Sequence, residues 1–154
     1  MPYTIEQSSS SVTTIRFSDL SAGWQQWILL RSDAHHDSPR CNRQLEKKHL
    51  DKALERNALI LDAGDCLDAM QGKFDPRRNY DDVRPEDARV DYYDQIVNHA
   101  AEFYAPYASL WGMFGKGNHE VSVLNNTNQD LTTRLVDKMH LAGPPCVIGN
   151  YGGW

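Results

Sequence analysis

Three cysteines, Cys41, Cys66 and Cys146, are all that the 154 residues contain, widely spaced and without a Cys-x-x-Cys pair. An odd, scattered set argues against a disulfide framework and predicts reduced thiols in a cytoplasmic protein. No apolar run approaches the ~20 residues of a membrane span, and residues 1–11 lack the basic-then-apolar plan of a secretory leader. Gly115-Lys116-Gly117 sits in no Gly-x-x-x-x-Gly-Lys-Ser/Thr motif, so there is no P-loop. His119-Glu120 begins like a zincin motif, but Val123 stands where the second histidine belongs, which excludes that protease class. The net charge of −5 lacks the basic excess of a protein that coats nucleic acid. There are no internal repeats, and only residues 8–11 are of low complexity.

What is present is the make-up of one globular domain, 40% hydrophobic and 24% charged. Three apolar runs organise it: Trp27-Ile28-Leu29-Leu30, Ala58-Leu59-Ile60-Leu61 and Leu110-Trp111-Gly112-Met113-Phe114. Short continuous runs bounded by glycine or charge suit strands buried on both faces of a parallel sheet. Residues 43–56 place Leu45, His49, Ala53 and Leu54 at helical spacing, with Lys47 and Asp51 paired at i, i+4. Residues 91–105 align Tyr93, Val97, Ala100, Ala101 and Tyr104. Residues 129–141 align Leu131, Leu135 and Met139 ahead of Gly143, Pro144 and Pro145. Strand alternating with helix predicts an α/β fold, mainly parallel sheet with crossover helices. Residues 11–17 predict an edge strand and residues 146–150 a fourth strand, while residues 71–90, rich in Asp, Arg and Pro, predict a long loop.

Each apolar run leads into residues with chemistry. The first enters Asp33-Ala34-His35-His36-Asp37, the second Gly64-Asp65-Cys66-Leu67-Asp68, and the third Gly117-Asn118-His119-Glu120. Ligands of open α/β sheets bind beyond the carboxyl ends of the strands, so the three clusters are expected to converge. Carboxylates gathered without a cation repel one another and resist ionisation. Carboxylate, imidazole and carboxamide donors together suit Mn, Fe or Zn.

Asp-x-His, Gly-Asp-x-x-Asp and Gly-Asn-His-Glu, in that order and each after an apolar strand, resemble the motifs of the calcineurin-like metallophosphoesterases, the phage and prophage members in particular. The resemblance covers residues 27–154 and implies half of an α/β/β/α sandwich that hydrolyses a phosphomonoester or phosphodiester at a two-metal centre, Mn favoured. It implies that Asp33 and His35 bind the first metal, that Asp65 bridges both, and that Asn118 binds the second. It places His119 beside the scissile phosphate, with Asp68 orienting that ring and holding it cationic. Ala69 stands where protein phosphatases of the family carry a phosphate-binding arginine, and His36 where they carry glycine, which argues against a protein phosphatase.

The family takes further histidine ligands from its C-terminal half, one of them in a Gly-His-x-His motif. This sequence has no Gly-His pair, and His140 is its only later histidine. The expectation is a segment over 1–23 followed by a phosphoesterase domain over 24–154 that is C-terminally truncated, with a weakly held second metal. Two other readings stay open: a non-catalytic remnant that binds at most one metal, and a nuclease-like member acting on DNA or RNA. Candidates for substrate contact are His36 and, in the long loop, Lys73, Arg77 and Arg78. The remaining histidines have plainer readings: His49 packed on its apolar stripe, His99 solvated, and His140 favoured by a helix C-terminal dipole.

Overall fold

A computed structural model describes residues 3–9, 12–72, 75–140 and 146–151. The chain opens with an antiparallel hairpin, β1 (Tyr3–Ser9) and β2 (Val12–Phe17). The sequence predicts only the second of these strands, because β1 is a serine-rich polar segment with little alternation. The three apolar runs then form β3 (Ile28–Arg31), β4 (Leu59–Asp62) and β5 (Trp111–Phe114), and β6 (Val147–Ile148) completes the second sheet. All of its neighbours pair parallel, in the order β3-β4-β5-β6. Gln7 Nε2 donates to the Ile148 carbonyl at 3.0 Å and ties the hairpin to β6.

The helices are α1 (Arg43–Glu55), α2 (Tyr92–Tyr104), α3 (Asn118–Thr127) and α4 (Leu131–His140). The chain is therefore a mixed α/β protein with a four-stranded parallel sheet. Among the described residues no helix is long and apolar enough to cross a membrane. Asn42 Oδ1 caps α1 by accepting from the Leu45 N–H at 3.0 Å, and Lys47 pairs with Asp51 as its spacing predicts. The face of α2 that meets the core carries Tyr92, Ile96, Val97, Ala100 and Tyr104, and α4 buries Leu131, Leu135, Val136 and Met139. Phe114 and Trp111 stack at 3.9 Å beneath Tyr104.

Two burial expectations fail for one reason. β3 is the edge strand of the sheet and one of its faces is open: Leu29 packs on the core, while Leu30 is 74% exposed and Ile28 44%. The helix beside it buries Leu50 and Ala53, whereas Leu45 and His49 face an open groove along that edge. His49 is exposed rather than packed. His99 is half-buried rather than solvated, with Nδ1 at 2.7 Å from the buried Asp87 carboxylate. The last residue of α4 is His140, whose side chain lies outside the described residues.

One carboxylate joins sheet to helices. Glu46 of α1 accepts from Arg31 Nη2 at 2.9 Å and from the Tyr104 hydroxyl, and it meets His36 Nδ1 at 2.8 Å. Arg31 in turn pairs with Asp62 at 2.7 Å and lies over the Tyr104 and Trp111 rings. Burial opposes ionisation of Glu46, but the His36 hydrogen bond, the Arg31 charge and the Tyr104 hydroxyl overcome it and bring its pKa down to about 2. A carboxyl whose folded pKa is depressed stabilises the fold above its unfolded pKa, and that stability is lost as pH falls from about 4.5 towards 2. Glu46→Gln should cost roughly 3 kcal/mol near neutral pH. In urea unfolding at stepped pH, the gap between wild type and variant should close across that acid window; a gap independent of pH would contradict the assignment.

Candidate metal centre

The loops that leave β3, β4 and β5 are held against one another by backbone hydrogen bonds and buried carboxylates. Asp33 N–H donates to Gly64 O at 3.0 Å, His35 N–H to Asp65 O at 3.0 Å and His36 N–H to Cys66 O at 2.8 Å, so the first two loops extend the parallel ladder past the strands. Asp37, 3% exposed, accepts the Asp68 and Ala69 N–H groups at 2.6 and 2.9 Å and the Tyr92 hydroxyl at 3.0 Å. Glu120, 2% exposed, accepts from the N–H groups of Asp65 at 3.1 Å, Leu67 at 2.9 Å and Gly117 at 2.9 Å. It thereby caps α3 and clamps the second loop to the third. Burial pushes Glu120 up to about 7 against the hydrogen bonds from the Leu67 and Gly117 N–H groups, and it raises the Asp37 carboxyl likewise.

Seven non-glycine residues among those described have positive φ, and Asp33 (53°), His35 (44°), Asp65 (53°) and Ala69 (54°) lie in these loops. Left-handed backbone at a side-chain-bearing residue costs of order 1–3 kcal/mol and persists where the surroundings over-determine it. Four of the seven thus fall where the three loops meet. Two glycines permit the close approach: a Cβ on Gly64 would stand 2.4 Å from the Gly117 nitrogen, and one on Gly117 would stand 2.1 Å from Asp65 Oδ1.

The predicted metal residues meet. Donor atoms of Asp33, His35 and Asp65 lie within 4.8 Å of one another, and so do those of His35, Asp68 and His119. His35 Nδ1 is 2.9 Å from Asp68 Oδ1, which leaves Nε2 as the free ligand atom, the tautomer that a carboxylate-backed metal histidine adopts. That hydrogen bond raises the His35 pKa, against the effect of burial and with help from the Asp68, Asp65 and Asp33 charges. Burial opposes ionisation of Asp68, yet the hydrogen bond from His35 and the charges of His35 and His119 hold its pKa below the ordinary value.

Asp68 serves both rings. Its carboxylate is nearer His35, and His119 Nδ1 is held by the Asp68 carbonyl at 2.7 Å with the carboxylate at 3.3 Å. The two rings meet edge to face at 4.6 Å. An opening of about 430 Å³ lined by Asp33, His35, Ser38, Arg40, Asp68 and Asp82 gives access to the cluster.

Asn118 and His119 open α3 beside Asp65. The His119 N–H donates to Asp65 Oδ1 at 2.8 Å. In the structure the Asn118 carboxamide turns its oxygen towards Asp65 Oδ2 and its nitrogen towards Arg77 Nη1; the swapped orientation lets the nitrogen donate to Asp65 Oδ2 at 3.0 Å and the oxygen accept from Arg77 Nη1 at 2.6 Å, and is the one hydrogen bonding favours without a cation. With its oxygen towards Asp65 the carboxamide brings two oxygens together, an arrangement that a cation between them resolves. The Asp33, His35 and Asp65 donors lie close enough together to hold a divalent cation.

Other candidates fall elsewhere. His36 is 1% exposed, bonded to Glu46 and packed on Phe103 at 4.5 Å. Its ring points into the core, which corrects the expectation of substrate contact. Arg78 is exposed, its N–H donating to Asp75 O at 3.1 Å, and Lys73 lies outside the described residues. A second group able to bind metal, His36, Cys41 and Glu46, is already engaged through Arg31 and Tyr104. The three cysteines form no disulfide. Sequence reasoning missed Asp37, Glu120 and Asp75 as organising residues; the only signal was that Asp37 and Glu120 are carboxylates within motifs, while Asp75 lies in the long loop.

The chain matches no family model, no curated protein and no solved structure. The case for its chemistry rests on the loops. Gly117→Ala should force the second and third loops apart, lowering stability by about 1–3 kcal/mol and Mn affinity about 10-fold or more. Thermal unfolding and Mn calorimetry read the two effects, and unchanged Mn affinity would show that the close approach is not needed.

Proposed function

We propose that the chain is a metal-dependent phosphoesterase hydrolysing a phosphomonoester or phosphodiester, with the fold of the N-terminal half of a calcineurin-like α/β/β/α sandwich. The observation that carries this reading is the convergence of Asp33, His35 and Asp65 donors within 4.8 Å, with Asn118 at Asp65 and His119 beside them. Asp33, His35 and Asp65 would hold one divalent cation, Asp65 and Asn118 a second, and the mixed donors suit Mn, Fe or Zn. Cations so held polarise phosphoryl oxygens and make a bound water nucleophilic at neutral pH.

The chain's own residues supply the rest. Asp68 fixes His35 through Nδ1, so that its other nitrogen keeps its lone pair for the cation. Asp68 also holds His119 at Nδ1, leaving Nε2 as the atom that carries a proton to the leaving alkoxide. The buried clamps of Asp37 and Glu120 keep these groups in register while substrate exchanges.

Two variants separate the roles. Asp65→Asn should abolish Mn-dependent hydrolysis of a chromogenic phosphodiester and lower Mn content, since both cations share that carboxylate. His119→Ala should keep its Mn and lose about 10²–10⁴-fold in kcat. Wild-type turnover in Asp65→Asn, or a metal-free His119→Ala, would overturn the assignment of roles.

A further inference from the structure

Arg77 is built into the centre from outside its motifs. Asp75, 4% exposed, accepts from Arg77 Nε at 3.2 Å and Nη2 at 3.0 Å, from the Arg77 N–H at 2.9 Å, and from Ser122 Oγ of α3 at 2.6 Å. Such a fork leaves the guanidinium little freedom and leaves Nη1 facing Asn118. The Arg77 side chain remains 34% exposed, so one edge of a fixed cation is presented to solvent beside Asp65 and Asn118.

We infer that Arg77 is a metal-gated phosphate clamp: it holds the Asn118 carboxamide oxygen while the centre is empty, and releases Nη1 to a substrate phosphoryl oxygen when a cation claims that oxygen. This rests on the phosphoesterase reading and adds an order of events to it. The carboxamide has one oxygen. While it accepts from Nη1 its nitrogen faces Asp65, and when it turns towards Asp65 its nitrogen faces a donor that must find another acceptor. A phosphoryl oxygen is that acceptor. Arg77 and the cation therefore compete for Asn118, whereas phosphate and the cation support each other, and linkage requires that support to be reciprocal.

The test uses Mn and inorganic phosphate as probes, with calorimetry of the whole chain. For wild type, phosphate should bind about 10- to 100-fold more tightly with Mn than without it. Arg77→Met should move the two affinities in opposite directions: phosphate binding to the Mn form weakens about 10-fold or more, while Mn itself binds more tightly. Arg77→Lys, which keeps the charge but not the fork, should recover part of the phosphate affinity. A residue that merely braces the loop would lower both affinities together, and that result overturns the inference, as does phosphate binding unchanged in Arg77→Met. If wild type takes up no Mn, the phosphoesterase reading fails and the clamp fails with it; if Mn binds but Arg77 is silent towards phosphate, only the clamp fails.

Discussion

A buried carboxylate that accepts backbone N–H groups from a neighbouring loop is the contact on which this structure turns. Asp37 does this for the residues after Asp65, and Glu120 does it for Asp65, Leu67 and its own helix N-terminus. Each takes N–H groups that would otherwise face the interior unpaired, at a penalty of about 1–3 kcal/mol apiece. Removing either carboxylate would orphan several at once. The strand ends are thereby drawn close enough that only hydrogen fits at Gly64 and Gly117.

The strained backbone of the centre follows from that closeness. Asp33, His35 and Asp65 hold left-handed conformations because their N–H and C=O groups are committed to the adjoining loop, and those conformations turn their side chains towards a common point. Behind the centre, the Glu46, Arg31 and Asp62 charges bind α1 to β3 and β4 in the layer where His36 lies. Two adjacent histidines thus have opposite duties. His35 faces the opening and His36 the core, the chain turning between them at the left-handed backbone of His35.

Much of this is visible in the amino-acid order, and the remainder is hidden for physical reasons. The apolar runs mark β3, β4 and β5 to within a residue or so because buried parallel strands need continuous apolar side chains. Helix α3 escapes a reading by periodicity: Asn118, Val121, Val123, Asn125 and Asn126 are poor helix formers, and its start is secured by Glu120 reaching back to Gly117. The exposure of Leu45 and His49 depends on β3 being an edge, which no local pattern records. Asp33, His35, Asp65, Asn118 and His119 are legible because they follow strands. Asp37 and Asp75 act across long separations or within an irregular loop, and neither leaves a periodic trace.

The central claim is that a divalent cation is held by the loops after β3, β4 and β5. Anomalous diffraction from crystals soaked in Mn tests it without recourse to activity. The account predicts a peak about 2.0–2.3 Å from donor atoms of Asp33, His35 and Asp65. A peak among His36, Cys41 and Glu46 instead, or no peak at a saturating Mn concentration, would contradict it.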